Sequence, residues 1–200
     1  MEEDVKKGYE EGHYLEDYRE GRELRETERE LLDQLIDMLA DGSRILDLGC
    51  GNGVPFDLYL DQKGFDLTGV DIAENHVYAA RGNLPDARFI QGNFFEQEFE
   101  RESFDGIVSF YAIFHIPREK HLDLLRKMHG WLSDNGAILI TLGADEMKED
   151  SSEFSGSEMV WSSYSMEDNI ELVKEAGFEL VETYEEDAEE HHLWVLARKV

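Results

Sequence analysis

Apolar residues recur along this chain with two periods. Between residues 22 and 40, Leu24, Leu31, Leu32, Leu35, Ile36 and Leu39 return every three or four positions or close multiples, which predicts a helix closed by the Asp41-Gly42 turn. Residues 43–48 are a short apolar strand. Residues 54–63 read as a helix, with Pro55 in a first turn that has no use for its missing N–H. A strand over 66–72, a helix over 73–82 and strands over 87–92 and 104–110 follow. Pro117 opens a helix running through Trp131, with Leu122, Leu124, Leu125, Met128 and Leu132 as its apolar positions. The turn Ser133-Asp134-Asn135-Gly136 leads into a strand at 137–144. Residues 145–164 are polar, with Gly, Ser and three aromatics, and read as a loop or lid. A helix over 166–176 stops at Gly177, a residue suited to a helix C-terminus. Strands at 178–184 and 191–198 are six residues apart, which suits an antiparallel pair and is too short for a parallel crossover.

Strands alternating with helices predict an α/β domain whose parallel sheet is covered on both faces. The closing antiparallel pair departs from a plain six-stranded parallel sheet. The expected organisation is an N-terminal helical segment or cap at 1–40 and a main domain at 41–200, with the lid at 145–164.

The chemistry concentrates where strands end. Leu46-Asp47-Leu48-Gly49-Cys50-Gly51-Asn52-Gly53 is a glycine-rich loop between a strand and a helix. Its glycines let the backbone turn sharply and approach a ligand, and the helix that follows offers free N–H groups to a negative group. Asp71, 18 residues past Gly53, ends the second strand, where a carboxylate can accept from both hydroxyls of a ribose. Ile72 would wall the adjacent base. Gln91-Gly92-Asn93-Phe94 follows the third strand, and the Asn93 amide could accept from an adenine amino group. A nicotinamide fingerprint, G-x-G-x-x-G, fails here: counted from Gly49, its last position is Val54.

In this order and spacing, DLGCGNG, VDI, GNF and FDGIVSF resemble the class I S-adenosylmethionine-dependent methyltransferases. The resemblance covers about residues 40–145, and the closing strand pair extends it to residue 200. It implies a Rossmann-like, seven-stranded, mostly parallel sheet with helices on both faces and an antiparallel C-terminal strand inserted beside the fifth. It also implies a cofactor, S-adenosylmethionine, contacted by Gly49, Gly51 and Gly53 at the methionine part, Asp71 at the ribose and Asn93 at the adenine; Asp47, Cys50, Asn52, Ile72, Gly92, Phe94 and Phe110 complete the candidate cofactor-binding set. Aspartate is commonest in the family at position 93, so Asn93 departs from the pattern; so does SDNG, where the family usually has Pro-Gly-Gly.

The acceptor side is less defined. Ser109-Phe110-Tyr111-Ala112-Ile113-Phe114-His115 follows the fourth strand, at the edge where open α/β sheets bind ligands. His115 is there a candidate general base, or a residue that packs at the start of the next helix. Tyr111 and Trp161 are candidate pocket walls, with core packing and loop anchoring as their alternatives. Tyr9, His13, Tyr14 and Tyr18 belong either to a second wall over the cofactor, Tyr14 foremost, or to a solvated helix. Glu189-Glu190-His191-His192 is not expected to bind metal, because neighbouring strand residues point to opposite faces. Cys50, the single cysteine, reads as small-residue packing.

Composition narrows the partners. Forty-seven acidic against 19 basic residues give a formal charge of −28, spread along the chain, which repels phosphate backbones and argues against nucleic acid. Such a surface suits a salt-rich cytoplasm. The absence of 18 consecutive apolar residues, of a signal-like N-terminus and of paired cysteines points to a cytoplasmic protein off the membrane. Together these features predict an enzyme that methylates a small molecule as a monomer or homodimer. A cofactor-binding protein without catalysis and a nicotinamide oxidoreductase are the competing readings.

Overall fold

The computed structural model describes residues 1–15, 17, 21–187 and 191–200. Chain order is α1 (Glu2–Glu11), α2 (Glu26–Asp37), β1 (Arg44–Leu48), α3 (Phe56–Gln62), β2 (Asp66–Asp71), α4 (Glu74–Asn83), β3 (Arg88–Gln91), β4 (Phe104–Ser109), α5 (His121–Trp131), β5 (Leu132–Gly143), β6 (Met147–Phe154), β7 (Ser157–Ser163), α6 (Met166–Glu175), β8 (Phe178–Asp187) and β9 (His191–Lys199).

Seven strands form one sheet in the order β3-β2-β1-β4-β5-β9-β8. The first five are mutually parallel, and β9 runs antiparallel between β5 and β8. This is the expected seven-stranded α/β architecture. Alternation along the strands supplies two cores. Leu46 and Leu48 of β1, with Ile138, Ile140 and Leu142 of β5, pack under Leu124, Leu125 and Met128 of α5 and Val173 of α6. Ile45 and Leu139, on the opposite face, pack with Leu31, Leu32 and Leu35 of α2, Leu60 of α3 and Val77 of α4. Helices therefore cover both faces.

Three expectations need correction. The segment 145–164 is not a loop: β6 and β7 pair as an antiparallel hairpin, with Ser151 opposite Val160 and Phe154 opposite Ser157. The helix expected over 22–40 is α2, Glu26–Asp37, because the Glu28 carboxylate reaches back to the Arg25 N–H at 2.9 Å and starts the helix there. The N-terminal 40 residues are also not one cap. α2 belongs to the core, whereas α1 lies across β7 and the start of α4. Among the described residues, no helix is long and apolar enough to cross a membrane.

Candidate functional site

The site lies at the carboxyl ends of β1, β2 and β4, the edge at which open α/β sheets bind ligands. Gly49, Gly51 and Gly53 have φ of +90°, +56° and +76°, values that side chains disfavour, so the loop after β1 takes a path open mainly to glycine. A Cβ at Gly49 would lie 2.3 Å from that of Ala112, and one at Gly53 would lie 2.5 Å from Leu84. Gly49 thus lets the loop meet the chain after β4, while Gly53 lets it settle on α4. Asp47 is buried at the end of β1, and Cys50 is buried beneath the loop. The Asn52 carboxamide oxygen accepts from Val54 N–H at 3.2 Å and shapes the start of α3.

Asp71 ties this loop to the next strand. One carboxylate oxygen accepts from Gly51 N–H at 2.8 Å; the other accepts from Ala73 N–H at 2.9 Å and lies 3.4 Å from His76 Nδ1. Burial alone would raise the Asp71 pKa, but His76 and the two N–H groups outweigh it and hold the carboxyl below its ordinary value. The acid therefore faces the cavity as an anion. His76 Nε2 is buried, and no hydrogen-bond partner completes it.

A cavity of about 50 Å³ lies over this edge, lined by Gly49, Gly51, Asp71, His76, Phe110 and Tyr111 below and by Tyr9 and Tyr14 above. A second, of about 160 Å³, is lined by Ile72, Asn93, Phe94, Phe95 and Lys120. Val5 and His115 border both. Asn93 caps the short turn at Phe94–Glu96 by accepting from Phe95 N–H at 2.9 Å, and Gly92 N–H donates to the Asp71 carbonyl. The second lone pair of the Asn93 oxygen is still available to a donor.

Tyr111, His115 and Trp161 come together in part. Tyr111 borders the cavity, but its hydroxyl turns into a polar cluster with Arg25, Glu28 and Glu186, and Arg25 also pairs with both acids. Burial, then the two carboxylates, raise the Tyr111 pKa, so its hydroxyl stays protonated. His115 is buried at the cavity wall, with Nδ1 2.9 Å from the Val160 carbonyl and Nε2 2.9 Å from the Tyr9 hydroxyl. Burial lowers its pKa to about 4. Trp161 is on the expected side of the sheet, but it backs His115 at 5.9 Å between ring centres and does not itself line the cavity. Tyr14 does line it, edge-on to Tyr9 at 5.0 Å and stacked on His76 at 5.6 Å.

His76, Val5 and the Arg25–Glu28–Glu186 cluster escape the sequence reading. His76 carried one usable signal: it is a polar residue on the same helical face as the core positions Val77 and Ala80, five places after Asp71. Tyr18, Glu189 and Glu190 lie outside the described residues. His191 binds Asp145 and Glu185 near the surface, whereas His192 is buried and stacked on Phe114, so the two do point apart. No group of three potential metal ligands occurs among the described residues.

Known proteins share these features. Residues 45–136 match the family model for the methyltransferase domain. The rice (Oryza sativa subsp. japonica) 24-methylenesterol C-methyltransferase 2 is 35% identical over 106 residues, 49% of this chain and 29% of that protein. Phosphoethanolamine N-methyltransferase 3 of Arabidopsis thaliana is 28% identical over 182 residues, 88% of this chain and 36% of that protein. The chain thus spans about a third of the length of these curated relatives. A crystal structure of the 1,6-didemethyltoxoflavin-N1-methyltransferase of Burkholderia thailandensis, with bound 1,6-didemethyltoxoflavin and S-adenosylhomocysteine, superposes with a TM-score of 0.70 at 20% identity, covering 94% of this chain and 85% of that one. The matches thus give residues 45–136 a methyltransferase domain, carried on the fold that the sheet order shares with S-adenosylmethionine-dependent methyltransferases.

Proposed function

We propose that this chain transfers a methyl group from S-adenosylmethionine to a small-molecule acceptor held under α1 and the β6–β7 hairpin. The observation that carries this reading is Asp71. A carboxylate buried at the end of β2, kept ionised and locked 2.8 Å from Gly51 N–H, is suited to a ribose diol. The unpartnered His76 Nε2 beside it is a buried polar atom that a ligand hydroxyl would satisfy, so the residues present fit the cofactor. Asp47, Gly49, Cys50, Gly51, Asn52 and Gly53 would border the methionine end. Ile72, Gly92, Asn93 and Phe94 would hold the adenine, and Phe110 would close the floor.

When bound, S-adenosylmethionine supplies a methyl group already activated on a sulfonium. The work left to the protein is alignment and removal of water. Tyr9, Tyr14 and His115 form an aromatic wall that does both. α1 contributes Met1, Glu2, Val5 and Tyr9 to the two cavities, and each is smaller than the roughly 300 Å³ typical of a ligand pocket. Loading therefore requires α1 to move, which makes α1 and the hairpin the cover. A cover built from one short helix and one hairpin favours a small acceptor. The relatives' names span carbon and nitrogen acceptors, so the likeness to them leaves the acceptor atom open. The dispersed negative charge further supports an acceptor other than nucleic acid, and a cytoplasmic monomer or homodimer belongs to the same proposal.

Titration calorimetry with S-adenosylhomocysteine and with NAD, followed by methyl transfer to a panel of hydroxyl and amine acceptors, tests this reading. S-adenosylhomocysteine should bind and NAD should not. Cofactor binding with no turnover across the panel would favour a non-catalytic binding protein, and NAD binding would overturn the reading.

A further inference from the structure

The seat of α1 contains a hydrogen bond that constrains the acceptor's chemistry. The Val160 carbonyl only accepts, so His115 Nδ1, 2.9 Å away, carries a proton. The ring is buried, and its depressed pKa keeps it neutral. A neutral imidazole protonated at Nδ1 has a lone pair at Nε2. That lone pair accepts from the Tyr9 hydroxyl at 2.9 Å. The ring cannot rotate freely to present its other nitrogen, because Phe114 lies 5.0 Å to one side and Trp161 5.9 Å to another. His115 therefore offers the cavity an acceptor and no donor. Neither lysine nor arginine is found among the described residues lining this cavity, and the carboxylate present is Asp71. An anion would face the His115 lone pair and the Asp71 carboxylate, with His76 already engaged by that carboxylate.

Tyr9 is itself a phenol delivered from a separate element. Its helix is held to the rest of the cover by the His13 N–H to the Ser155 carbonyl at 2.8 Å, and to α4 by the Asn75 amide donating to the Tyr9 carbonyl at 3.3 Å. α1 packs on β7 and α4 and makes no strand of the main sheet, so it can part from its seat without breaking a sheet pairing.

We propose that the Tyr9 hydroxyl occupies the place of the acceptor's reactive group, so that the acceptor presents an uncharged O–H or N–H to Nε2 of His115 and displaces Tyr9 as α1 swings out. This rests on the methyltransferase reading above and narrows its substrate class: neutral hydroxyls and amines are admitted, and carboxylates and thiolates are not. A proton on the reactive atom then faces a group able to receive it. Tyr9 competes with the acceptor and guards the lone pair until one arrives.

The test uses the full chain labelled with ¹⁵N-histidine and loaded with S-adenosylhomocysteine, with the His115 signals assigned by their loss in His115→Gln. Phenol, anisole and benzoate are the probes: a neutral donor, the same ring without a donor, and an anion. The wild type should show His115 protonated at Nδ1, and phenol alone should shift its Nε2 resonance. Tyr9→Phe keeps the ring and removes the competing hydroxyl, so phenol should bind about 2–10-fold more tightly, the worth of one ordinary hydrogen bond. A proton found on Nε2 would overturn the proposal without any variant. So would anisole or benzoate binding as well as phenol, or weaker phenol binding by Tyr9→Phe. If S-adenosylhomocysteine binds but no probe reaches His115 in either protein, the proposal falls, while the methyltransferase reading, tested by cofactor binding and turnover, stands.

Discussion

Two contacts of nearly equal length hold the two halves of this site. Below, Gly51 N–H lies 2.8 Å from the Asp71 carboxylate; above, the Tyr9 hydroxyl lies 2.9 Å from His115. The lower contact joins the loop after β1 to the last residue of β2, its neighbour in a parallel ladder with the core on both faces. The upper contact joins two side chains across elements that meet through side-chain packing and rings, with no strand pairing between them. The floor is therefore rigid because the sheet is, while the cover keeps its shape only as long as its aromatic contacts do. The proposed methyl transfer would need both: a floor that does not adapt and a cover that opens.

Acid should separate the halves with the largest effect. His115, His121 and His192 sit buried at the cover side of the sheet edge, each with its pKa lowered by burial to about 4. The unfolded chain binds these protons near pH 6.5. Between the two values the unfolded state holds more protons, so stability is complete above about pH 6.5 and falls as pH drops towards 4. The slope reaches about 1.4 kcal/mol per pH unit for each histidine. Asp71 and Glu186, lowered in the folded state, add to the loss only below the ordinary carboxylate range. Thermal melts at pH 7 and pH 5 in molar KCl, which screens surface repulsion, should show a clear fall in Tm. Hydrogen exchange should rise first in α1 and β7; earlier loss in β1 and β2 would contradict the division into floor and cover.

Asp71→Ala strikes the floor. It removes the acceptor for Gly51 N–H along with the proposed ribose partner, and should weaken S-adenosylhomocysteine binding by about 1–3 kcal/mol. Unchanged affinity by calorimetry would remove Asp71 from the cofactor site. Gly12→Ala strikes the cover. Its Cβ would lie 2.5 Å from the Gly8 carbonyl and 2.9 Å from that of Ser155, so the end of α1 must lift from the hairpin turn. We expect faster proteolysis within α1 and a global stability loss of about 1 kcal/mol or less, since surface sites away from the core cost little. A loss as large as that of a core substitution would mean that the cover is part of the folding unit. The smallest effect is that of salt on the wild type at pH 7. With a formal charge of −28, Tm should climb by a few degrees from low to molar KCl, and a flat response would show that the charges do not repel appreciably in the folded state.

The floor was legible in the sequence and the cover was not, for physical reasons. A loop that needs positive φ at positions 49, 51 and 53 excludes most residues, so the glycines announce it. Asp71 is legible because the strand period ends there. β6, by contrast, reads MKEDSSEF and is exposed along nearly its whole length, so it lacks the alternation that reveals a strand. Its partner β7 carries the packing, with Met159 and Val160 buried against α1 and the sheet edge. His76 and Val77 share an apolar helical face, and no period tells which of them opens on a cavity. The Tyr111 hydroxyl meets Glu28 and Glu186, more than 70 residues away in either direction, a pairing that only the closed fold creates.

The position of β9 also sets an order of assembly. β8 comes earlier in the chain, yet among the described residues its sole neighbour in the sheet is β9, which connects it to β5. β8 therefore has nothing to pair with until residues 191–199 arrive. During that interval the free edge of β5 carries Ile138, Ile140 and Leu142, an apolar strand open to any extended segment nearby. The strand that completes the sheet also ends its exposure to aggregation, so the hazard for this protein is concentrated in the time before β9 docks.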